Sequence, residues 1–389
     1  MNNPMTKKTY TELPLSAKKP KLKVVGLGGG GSNAINRMIE LGLSGIEFIA
    51  ANTDAQALKS SQADIKLQLG PSQTRGLGSG GDPRIGEISA EESTKELEEA
   101  LSGADMVFLT AGMGGGTGTG AIPVAARIAR STGAVTVAIV TMPFSFEVGR
   151  RQANAREGLA KLRQYCDTLI TIPNDRLLKV APKNLPLDMA FRLADDVLRQ
   201  GIQGISELIT EPGVINVDFS HIRQIMHKGG GSLLSIGVGQ GENKAQKAIE
   251  RALHHPLLEE INLENASGII ANFTAGSDLS FVEVYEALNK LQEMTKNHAE
   301  IIPGVITDDR MQDRVEVILI ITGMGTSPSN PVLPIRASKE IPNFQPTRIT
   351  SSMQQQIQKD VEVEIPEPCE VAGATQDLDI PAFLRRRIR

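Results

Sequence analysis

Residues 104–131 read ADMVFLTAGMGGGTGTGAIPVAARIARS and join three kinds of pattern. Residues 104–111 are an apolar run of strand length, residues 112–120 are almost all glycine and threonine, and apolar residues recur at helical spacing from Ala121 onward. Glycines let a backbone approach a ligand closely, and the first turn of a helix presents free N–H groups and a positive dipole end. The stretch therefore predicts a buried strand, a glycine loop and a helix that together form an anion site suited to phosphate.

A second unit of the same kind begins near the N-terminus. Residues 21–28 read KLKVVGLG, a predicted strand, and a predicted helix follows. Gly26, Gly28 and Gly31 fit the G-x-G-x-x-G pattern of dinucleotide-binding oxidoreductases, and the next predicted strand ends at Asp54, where such enzymes keep a ribose-binding acid. An NAD-dependent oxidoreductase is therefore an alternative function, although it leaves the GGGTGTG loop unexplained.

Predicted strands and helices alternate through the first half of the chain. The glycine-rich loop 70–86 and helix 89–101 precede the central strand, and strand 134–144, helix 147–162 and strand 167–175 follow it. Alternation at these lengths predicts a Rossmann-like α/β fold with a parallel sheet and right-handed crossovers. Ligands of such sheets bind at the carboxyl ends of the strands, and every glycine loop is predicted to lie on that edge.

The second half of the chain begins with a long predicted helix over residues 188–210. Gly201 and Gly204 lie inside this helix, where we expect them to permit close packing. Residues 211–325 then show a smaller α+β pattern of strands and helices without a glycine phosphate loop. The sequence therefore predicts a nucleotide-type domain, a central helix and a smaller C-terminal domain.

The composition narrows the class of protein. The formal net charge of −4 argues against a general nucleic-acid binder. Cys166 and Cys369 are too far apart in sequence to form a metal or redox motif, which is typical of a reducing cytosol. No apolar run reaches the roughly 18 residues of a membrane span, and no secretory signal is visible. We expect a cytoplasmic protein with no membrane span.

The two ends of the chain lack the periodicity of folded elements. Residues 1–20 are predicted to be a disordered arm, and residues 326–376, rich in Pro, Ser, Gln and Thr, a disordered linker. Residues 377–389 read DLDIPAFLRRRIR, a short amphipathic segment typical of a partner-docking peptide. A charged tail that keeps the chain soluble is the alternative. The predicted docking residues are Ile380, Pro381, Phe383, Leu384 and Arg385.

Taken together, these motifs resemble those of the tubulin/FtsZ family. The resemblance rests on the loop GGGTGTG at 114–120 and on GLGGGGSNA, NTDAQAL, PFSFE, TLITIPNDRLL, NVDF and DIPAFLRRR, in that order apart from the first. It covers residues 21–325 and the C-terminal peptide, with a GTP-binding domain over 21–187. It implies a GTPase that polymerises head to tail into the filaments of a division ring. It also implies GTP or GDP as ligand, with Mg²⁺ held by the phosphates rather than by fixed protein ligands, and with K⁺ as a further candidate cation.

The resemblance also implies which residues bind the nucleotide. They are Gly29, Gly30, Gly31, Ser32, Asn33, Gly116, Thr117, Gly118, Glu147, Arg151, Asn174, Phe191 and Asp195. The roles are chemically sensible, because Asp195 can accept two hydrogen bonds from guanine N1–H and its 2-amino group, which adenine does not offer. Phe191, one helical turn earlier, can stack on the base. No Walker lysine occurs, so N–H groups, helix dipoles, Arg151 and Mg²⁺ would meet the triphosphate charge.

For hydrolysis, the resemblance implies that the loop after the long helix completes the site of the next subunit. Asn216 and Asp218 match this catalytic loop, predicted at residues 211–221. His221 departs from the family pattern N-x-D-F-x-D, which has a second carboxylate there. A neutral imidazole can position water but holds a cation poorly. An alternative is therefore a co-assembling paralogue that binds GTP and hydrolyses it slowly; a second alternative is that Asp218 suffices.

The resemblance finally implies partners and a place in the cell. The chain would bind other copies of itself in a homopolymer. Through residues 377–389 it would bind membrane-anchoring and regulatory division proteins. It would work in the cytoplasm, at the mid-cell division ring.

Overall fold

A computed structural model of the protein describes most of the chain between its two ends. The described residues are 19–147, 149–180, 185–211, 213–228, 231–255 and 263–324. Residues 1–18 of the predicted arm, the predicted linker 326–376 and the predicted docking peptide 377–389 lie outside them.

The described chain alternates strands and helices. The strands are β1 (Leu22–Leu27), β2 (Ile46–Asn52), β3 (Ile65–Gln68), β4 (Met106–Gly112), β5 (Val135–Met142), β6 (Thr168–Pro173), β7 (Gly231–Gln240), β8 (Gly268–Ala275), β9 (Glu300–Thr307) and β10 (Arg314–Met324). The helices are α1 (Gly28–Glu40), α2 (Ala55–Lys59), α3 (Pro71–Thr74), α4 (Pro83–Glu92), α5 (Thr94–Leu101), α6 (Thr117–Ser131), α7 (Arg151–Leu162), α8 (Asn174–Val180), α9 (Leu187–Thr210), α10 (Phe219–His227), α11 (Lys244–Leu253) and α12 (Phe281–Met294).

All ten strands belong to one sheet in the order β3-β2-β1-β4-β5-β6-β7-β10-β8-β9. The strands from β3 to β7 are parallel, whereas β10 runs antiparallel to both of its neighbours. Among the described residues, β6 pairs with β7 through Leu169 and Ile170, opposite Gly231 and Ser232. The predicted α/β class with a parallel sheet is confirmed.

Helices cover both faces of the parallel half because its strands are apolar on both faces. In β1, Val24 belongs to an apolar cluster that includes residues of α1, α9 and α10, and Val25 belongs to a second cluster that includes residues of α4 to α7. A third cluster, around Phe273 and Leu319, forms between α11, α12 and the C-terminal strands. A continuous apolar run is the pattern of a strand buried on both faces.

The central helix α9 agrees with its prediction and packs closely against the sheet. A Cβ on Gly201 would lie 2.7 Å from a Leu234 methyl carbon, and one on Gly204 would lie 2.7 Å from Ile318 Cδ1. Both glycines therefore allow the approach that the sequence predicted. With 24 residues, α9 is about 36 Å long.

Two helix predictions were wrong. The predicted helix 89–101 is two helices, because α4 begins already at Pro83, where the Asp82 side chain caps it, and ends before Ser93. The helix predicted from Glu147 begins only at Arg151. Phe144 to Glu147 form a turn, and Gly149 has a φ of +90°, which a right-handed helix excludes. Both misses are boundaries, where local hydrogen bonds compete with apolar periodicity.

Within the described residues, no helix has the length and apolar character that crossing a bilayer demands.

Candidate nucleotide site

A cleft of about 440 Å³ opens at the carboxyl ends of β1, β4, β5 and β6. Eleven of the thirteen residues that the resemblance singled out line it. They are Gly29, Gly30, Asn33, Gly116, Thr117, Gly118, Glu147, Arg151, Asn174, Phe191 and Asp195. The prediction that the glycine loops meet on one edge is confirmed.

At one end of the cleft, α1 and α6 begin side by side. Neither helix has a side-chain cap, so the N–H groups of their first turns are left for another partner. Glycine permits the close approach: a Cβ on Gly28 would lie 2.7 Å from the Gly118 nitrogen, and one on Gly118 would lie 3.1 Å from the Leu27 oxygen. Gly29 and Gly115 face open space. Two uncapped helix N-termini and bare glycine backbone are the components of a phosphate site.

Gly31 and Ser32 do not line the cleft. A Cβ on Gly31 would lie 2.5 Å from the Thr110 oxygen, so this glycine allows α1 to pack on the sheet. The Ser32 side chain is buried, and its Oγ has no hydrogen-bond partner in the described protein. The lining of the cleft therefore gives no support to a contact of Gly31 or Ser32 with a nucleotide, and this contact stays a prediction.

The middle of the cleft carries an acid and a base from the β5–α7 connection. Glu147 accepts a hydrogen bond from the Phe144 nitrogen at 3.0 Å and forms an ion pair with Arg151. The Glu147 side chain is largely buried, whereas that of Arg151 is more than half exposed. The pair therefore offers a fixed hydrogen-bond acceptor beside a cation that can turn toward an anion.

The other end of the cleft has the chemistry of a purine-base site. Asn174 is 4% exposed, and its Oδ1 has no hydrogen-bond partner within the described chain. Burial raises the pKa of the Asp195 carboxyl to about 7, and the charge of Arg37 partly opposes this rise. Phe191 presents its ring at the mouth and packs edge-on against Phe144 at 5.4 Å. A buried acceptor without a donor is costly, so a ligand with N–H groups here would be stabilising.

The predicted catalytic loop lies elsewhere. Asn216 Oδ1 accepts from the Gly213 nitrogen at 2.7 Å, and Asp218 caps α10 by accepting from the Ser220 nitrogen at 2.8 Å. The hydrogen bonds from Ser220 hold the pKa of the Asp218 carboxyl below its usual value. His221 is exposed in the first turn of α10. None of the three lines the cleft, and α9 separates them from it: about 23 Å of helix lies between Asp195 and Thr210.

Some lining residues were missed by the sequence analysis. Ser79 comes from the glycine-rich loop 70–86, to which the sequence analysis assigned no site residue. Thr141 is the penultimate residue of β5, Pro143 follows this strand directly, and Gly112 ends β4. The signal that could have found these residues is their position just after a parallel strand, or in a glycine loop beside one.

Asp54, the acid of the dehydrogenase alternative, is already engaged. Its carboxylate caps α2, accepting from the nitrogens of Gln56 and Ala57 at 2.8 and 3.1 Å. Asp54 does not line the cleft. The geometry thus gives no ribose-binding role to this residue.

Comparison with known proteins identifies one family for both halves of the chain. The GTPase domain of the tubulin/FtsZ family matches residues 21–182, and the C-terminal domain of the FtsZ family matches residues 230–325. An FtsZ dimer from M. jannaschii, solved empty, is similar at 43% identity with a TM-score of 0.75, over 79% of this chain and 90% of that one.

More distant structures share the fold. CetZ1 from Haloferax volcanii, a GDP-bound monomer, is similar at 20% identity with a TM-score of 0.69, over 79% of this chain and 96% of that one. CetZ2 from the same organism, a GTPγS-bound protofilament, is similar at 19% identity with a TM-score of 0.65, over 77% and 92%.

Proposed function

The chain belongs to the tubulin/FtsZ family, and on that premise we propose that it binds and hydrolyses GTP and polymerises head to tail into the filaments of a division ring. The observation that carries the proposal is the separation of cleft and loop. The cleft can hold a guanine nucleotide, while Asn216 and Asp218 lie beyond the far end of α9. A molecule whose catalytic loop cannot reach its own nucleotide needs the loop of a neighbour.

The residues present fit GTP. Phosphates would lie on the free N–H groups of α1 and α6, the ribose beside Glu147 and Arg151, and guanine between Phe191, Asn174 and Asp195. Mg²⁺, bound through the phosphates, would neutralise part of their charge. In the described chain no group of three or more His, Cys, Asp or Glu residues could hold a metal ion by itself.

A head-to-tail contact also has apolar surface available. Val214, in the loop before Asn216, is 75% exposed, and Phe281 at the start of α12 is 76% exposed. A contiguous apolar patch is typical of a surface that binds another protein, and the Phe281 ring stacks on that of the exposed Tyr285. A contact between unlike surfaces does not close on itself and therefore gives an open filament.

The decisive experiment measures phosphate release from GTP against protein concentration. A site shared by two subunits predicts that the rate per molecule is near zero below a threshold and rises above it. GTP-dependent sedimentation should show the same threshold. A rate per molecule that is constant at all concentrations, or specific binding of NAD instead of GTP, would overturn the proposal.

The second candidate is a slowly hydrolysing paralogue, and His221 favours it. We predict that His221→Asp raises GTP turnover at least about tenfold at equal polymer mass, because one positioned acid–base group is typically worth 10²–10⁴-fold. His221→Asn, which stays neutral, is the matched control and should give no gain. Equal turnover of the wild type and the Asp variant would show that Asp218 suffices.

The Asp195 carboxyl makes nucleotide binding sensitive to pH. Its pKa of about 7 means that it is ionised above pH 7 and protonated below, and guanine requires the ionised form. GDP affinity should therefore be full at pH 8 and about tenfold weaker at pH 6. Titrations by isothermal calorimetry check this. Asp195→Asn should keep only the slope that comes from the phosphates, and an equal slope in both proteins would contradict the assignment.

We further propose that residues 377–389 dock membrane-anchoring and regulatory division proteins and so hold the filament at mid-cell in the cytoplasm. The support is the sequence alone, an apolar core at 380–384 flanked by acids and arginines.

A further inference from the structure

A tight turn between β5 and α7 carries Glu147 into the cleft. The Glu147 nitrogen donates to the Phe144 oxygen at 3.0 Å, and the Glu147 carboxylate accepts from the Phe144 nitrogen at 3.0 Å. These reciprocal bonds close the turn on itself and so fix its shape. They do not fix its place in the protein, because both partners belong to the turn. We call residues 143–147 the Glu147 turn.

Gln152 ties the Glu147 turn to α7. Its Nε2 donates to the Pro143 oxygen at 3.0 Å and to the Phe144 oxygen at 3.3 Å. A side-chain amide nitrogen carries two protons, so this one group meets two successive carbonyls. Gln152 is the second residue of α7, is half-buried and does not line the cleft. It therefore holds the backbone that carries a site residue and does not itself reach the place of a ligand.

A second attachment reaches the turn from the start of α8. Asp175 Oδ1 accepts from the Ser145 nitrogen at 2.8 Å, but both of these residues are exposed. Water can take over either partner of an exposed hydrogen bond, so its loss costs little. Pro143 and Phe144 are buried, and a buried carbonyl that loses its donor is costly. Gln152 is therefore the stronger of the two attachments.

The place of the Glu147 carboxylate decides whether it can bind a ribose hydroxyl. Its side chain is 11% exposed, with one oxygen on the Phe144 nitrogen and the other on Arg151. Each carboxylate oxygen has two lone-pair sites, so each can still accept one further hydrogen bond. A hydroxyl donor must lie about 2.5–3.0 Å away and well aligned for such a bond to form. A small shift of the Glu147 turn would therefore abolish it.

We propose that Gln152 is a positioning residue of the nucleotide site, which holds the Glu147 turn so that Glu147 accepts from the ribose hydroxyls of the nucleotide. This rests on the proposed function, since the ligand is a guanine nucleotide. The chemistry also requires an amide at position 152. A glutamate of the same shape would turn an acceptor toward two carbonyl oxygens and repel both.

The test compares binding of GDP and of 2′,3′-dideoxy-GDP, which lacks both ribose hydroxyls, to the full chain by isothermal calorimetry. The wild type should prefer GDP at least about tenfold, the usual effect of a hydrogen bond to a charged group. Gln152→Glu should reduce this preference to about twofold or less, and so should Gln152→Met, which removes the donor without adding a charge. Gln164→Glu adds the same charge at an exposed position after α7 and should keep the wild-type preference. A preference that survives in Gln152→Met, or an equal loss of affinity for both nucleotides, would overturn the inference.

A double-mutant cycle tests whether Gln152 acts through Glu147. Glu147→Ala alone should abolish the preference for GDP over its dideoxy analogue. In that background Gln152→Met should cost nothing further in GDP affinity, because the group that it positions is gone. Additive losses would show that the two residues act independently and would overturn the positioning role. Melting temperatures without nucleotide show whether each variant folds, and Gln152→Met carries the test if Gln152→Glu does not.

The two proposals fail in different ways. Absence of guanine-nucleotide binding by the wild type would overturn the proposed function and this inference together. Wild-type binding that does not distinguish GDP from its dideoxy analogue, or a distinction that the Gln152 variants keep, would overturn the inference alone.

Discussion

Replacing Asp195 by asparagine is expected to weaken GTP binding by about 100-fold or more and to create a site for XTP. The ionised carboxylate offers two acceptors, which match guanine N1–H and the 2-amino group. The asparagine amide keeps one acceptor but turns an N–H₂ group toward the 2-amino group, so two donors face each other. Xanthine has a carbonyl at that position and would accept from the amide.

The burial of this end of the cleft makes the effect large. Asp195 lies deep enough for its pKa to rise to about 7, and Asn174 Oδ1 in the same cleft has no hydrogen-bond partner among the described residues. In such surroundings water cannot readily replace a lost hydrogen bond, so a mismatch carries its full cost. An exposed carboxylate would discriminate far less between the two bases.

The measurement is the ratio of GTP to XTP affinity in the wild type and the variant, which should invert. Asp188→Asn is the matched control, because it removes an exposed carboxylate from the first turn of the same helix without touching the cleft. An unchanged preference for GTP in Asp195→Asn, or an inversion in the control as well, would mean that the base lies elsewhere.

The base end of the cleft also shows what sequence can and cannot supply. Phe191 and Asp195 sit one turn apart on a helix, so their common direction follows from helical periodicity alone. The pKa of Asp195 does not follow from sequence, because it depends on how deeply α9 is buried and on Arg37 of a different helix. Spacing along one element is encoded locally, whereas the environment of a side chain is a property of the packed chain.

The phosphate end of the cleft likewise shows some features that local sequence predicts and others that depend on the packed chain. The sequence predicted that glycine loops would gather at one edge, since each follows a parallel strand. It could not separate Gly29, which faces open space, from Gly31, which packs against Thr110, because both are glycines of the same run. It also could not single out Ser79, since Thr117, whose Oγ1 lies 3.0 Å from Ser79 Oγ, is 38 residues away in the chain.

Helix boundaries failed for a related reason. The apolar periodicity of the predicted helix 89–101 continues through Ser93, and that of the predicted helix 147–162 begins before Arg151. The backbone is not helical at these two boundaries. Ser93 Oγ accepts from the Gly70 nitrogen at 3.1 Å, a contact between distant segments that fixes the break between α4 and α5. The start of α7 is delayed by the turn that places Glu147 in the cleft. At Ser93 a contact between distant segments overrides the local pattern, whereas before Arg151 the hydrogen bonds of a local turn do so.

Mixing two inactive variants is expected to restore GTP hydrolysis, and this is the sharpest consequence of a site built from two subunits. Asp218→Ala keeps the cleft but lacks the loop carboxylate, and it should lose about 10²–10⁴-fold in turnover. Asp195→Ala keeps the loop but lacks the base-binding carboxylate, so its own cleft should stay largely empty. Neither variant alone has an intact cleft beside an intact loop.

A filament that mixes the two variants regains complete sites. At equal amounts and random order, roughly one quarter of the junctions join an intact cleft to an intact loop, so turnover should recover to at most about a quarter of the wild-type value. Phosphate release across mixing ratios should peak near equal amounts, because both kinds of half-site are then most often adjacent. The double variant Asp195→Ala/Asp218→Ala is the control, and adding it to either single variant should restore nothing.

The shape of the mixing curve separates shared from self-contained catalysis. In a self-contained enzyme both carboxylates serve the same nucleotide, and a mixture of two dead proteins stays dead at every ratio. Recovery cannot come from refolding or nucleotide exchange, because each variant retains its defect. Since α9 holds Asp195 and the loop after Thr210 about 23 Å or more apart along its axis, the proposed function requires a neighbouring molecule to bring an intact loop to an occupied cleft.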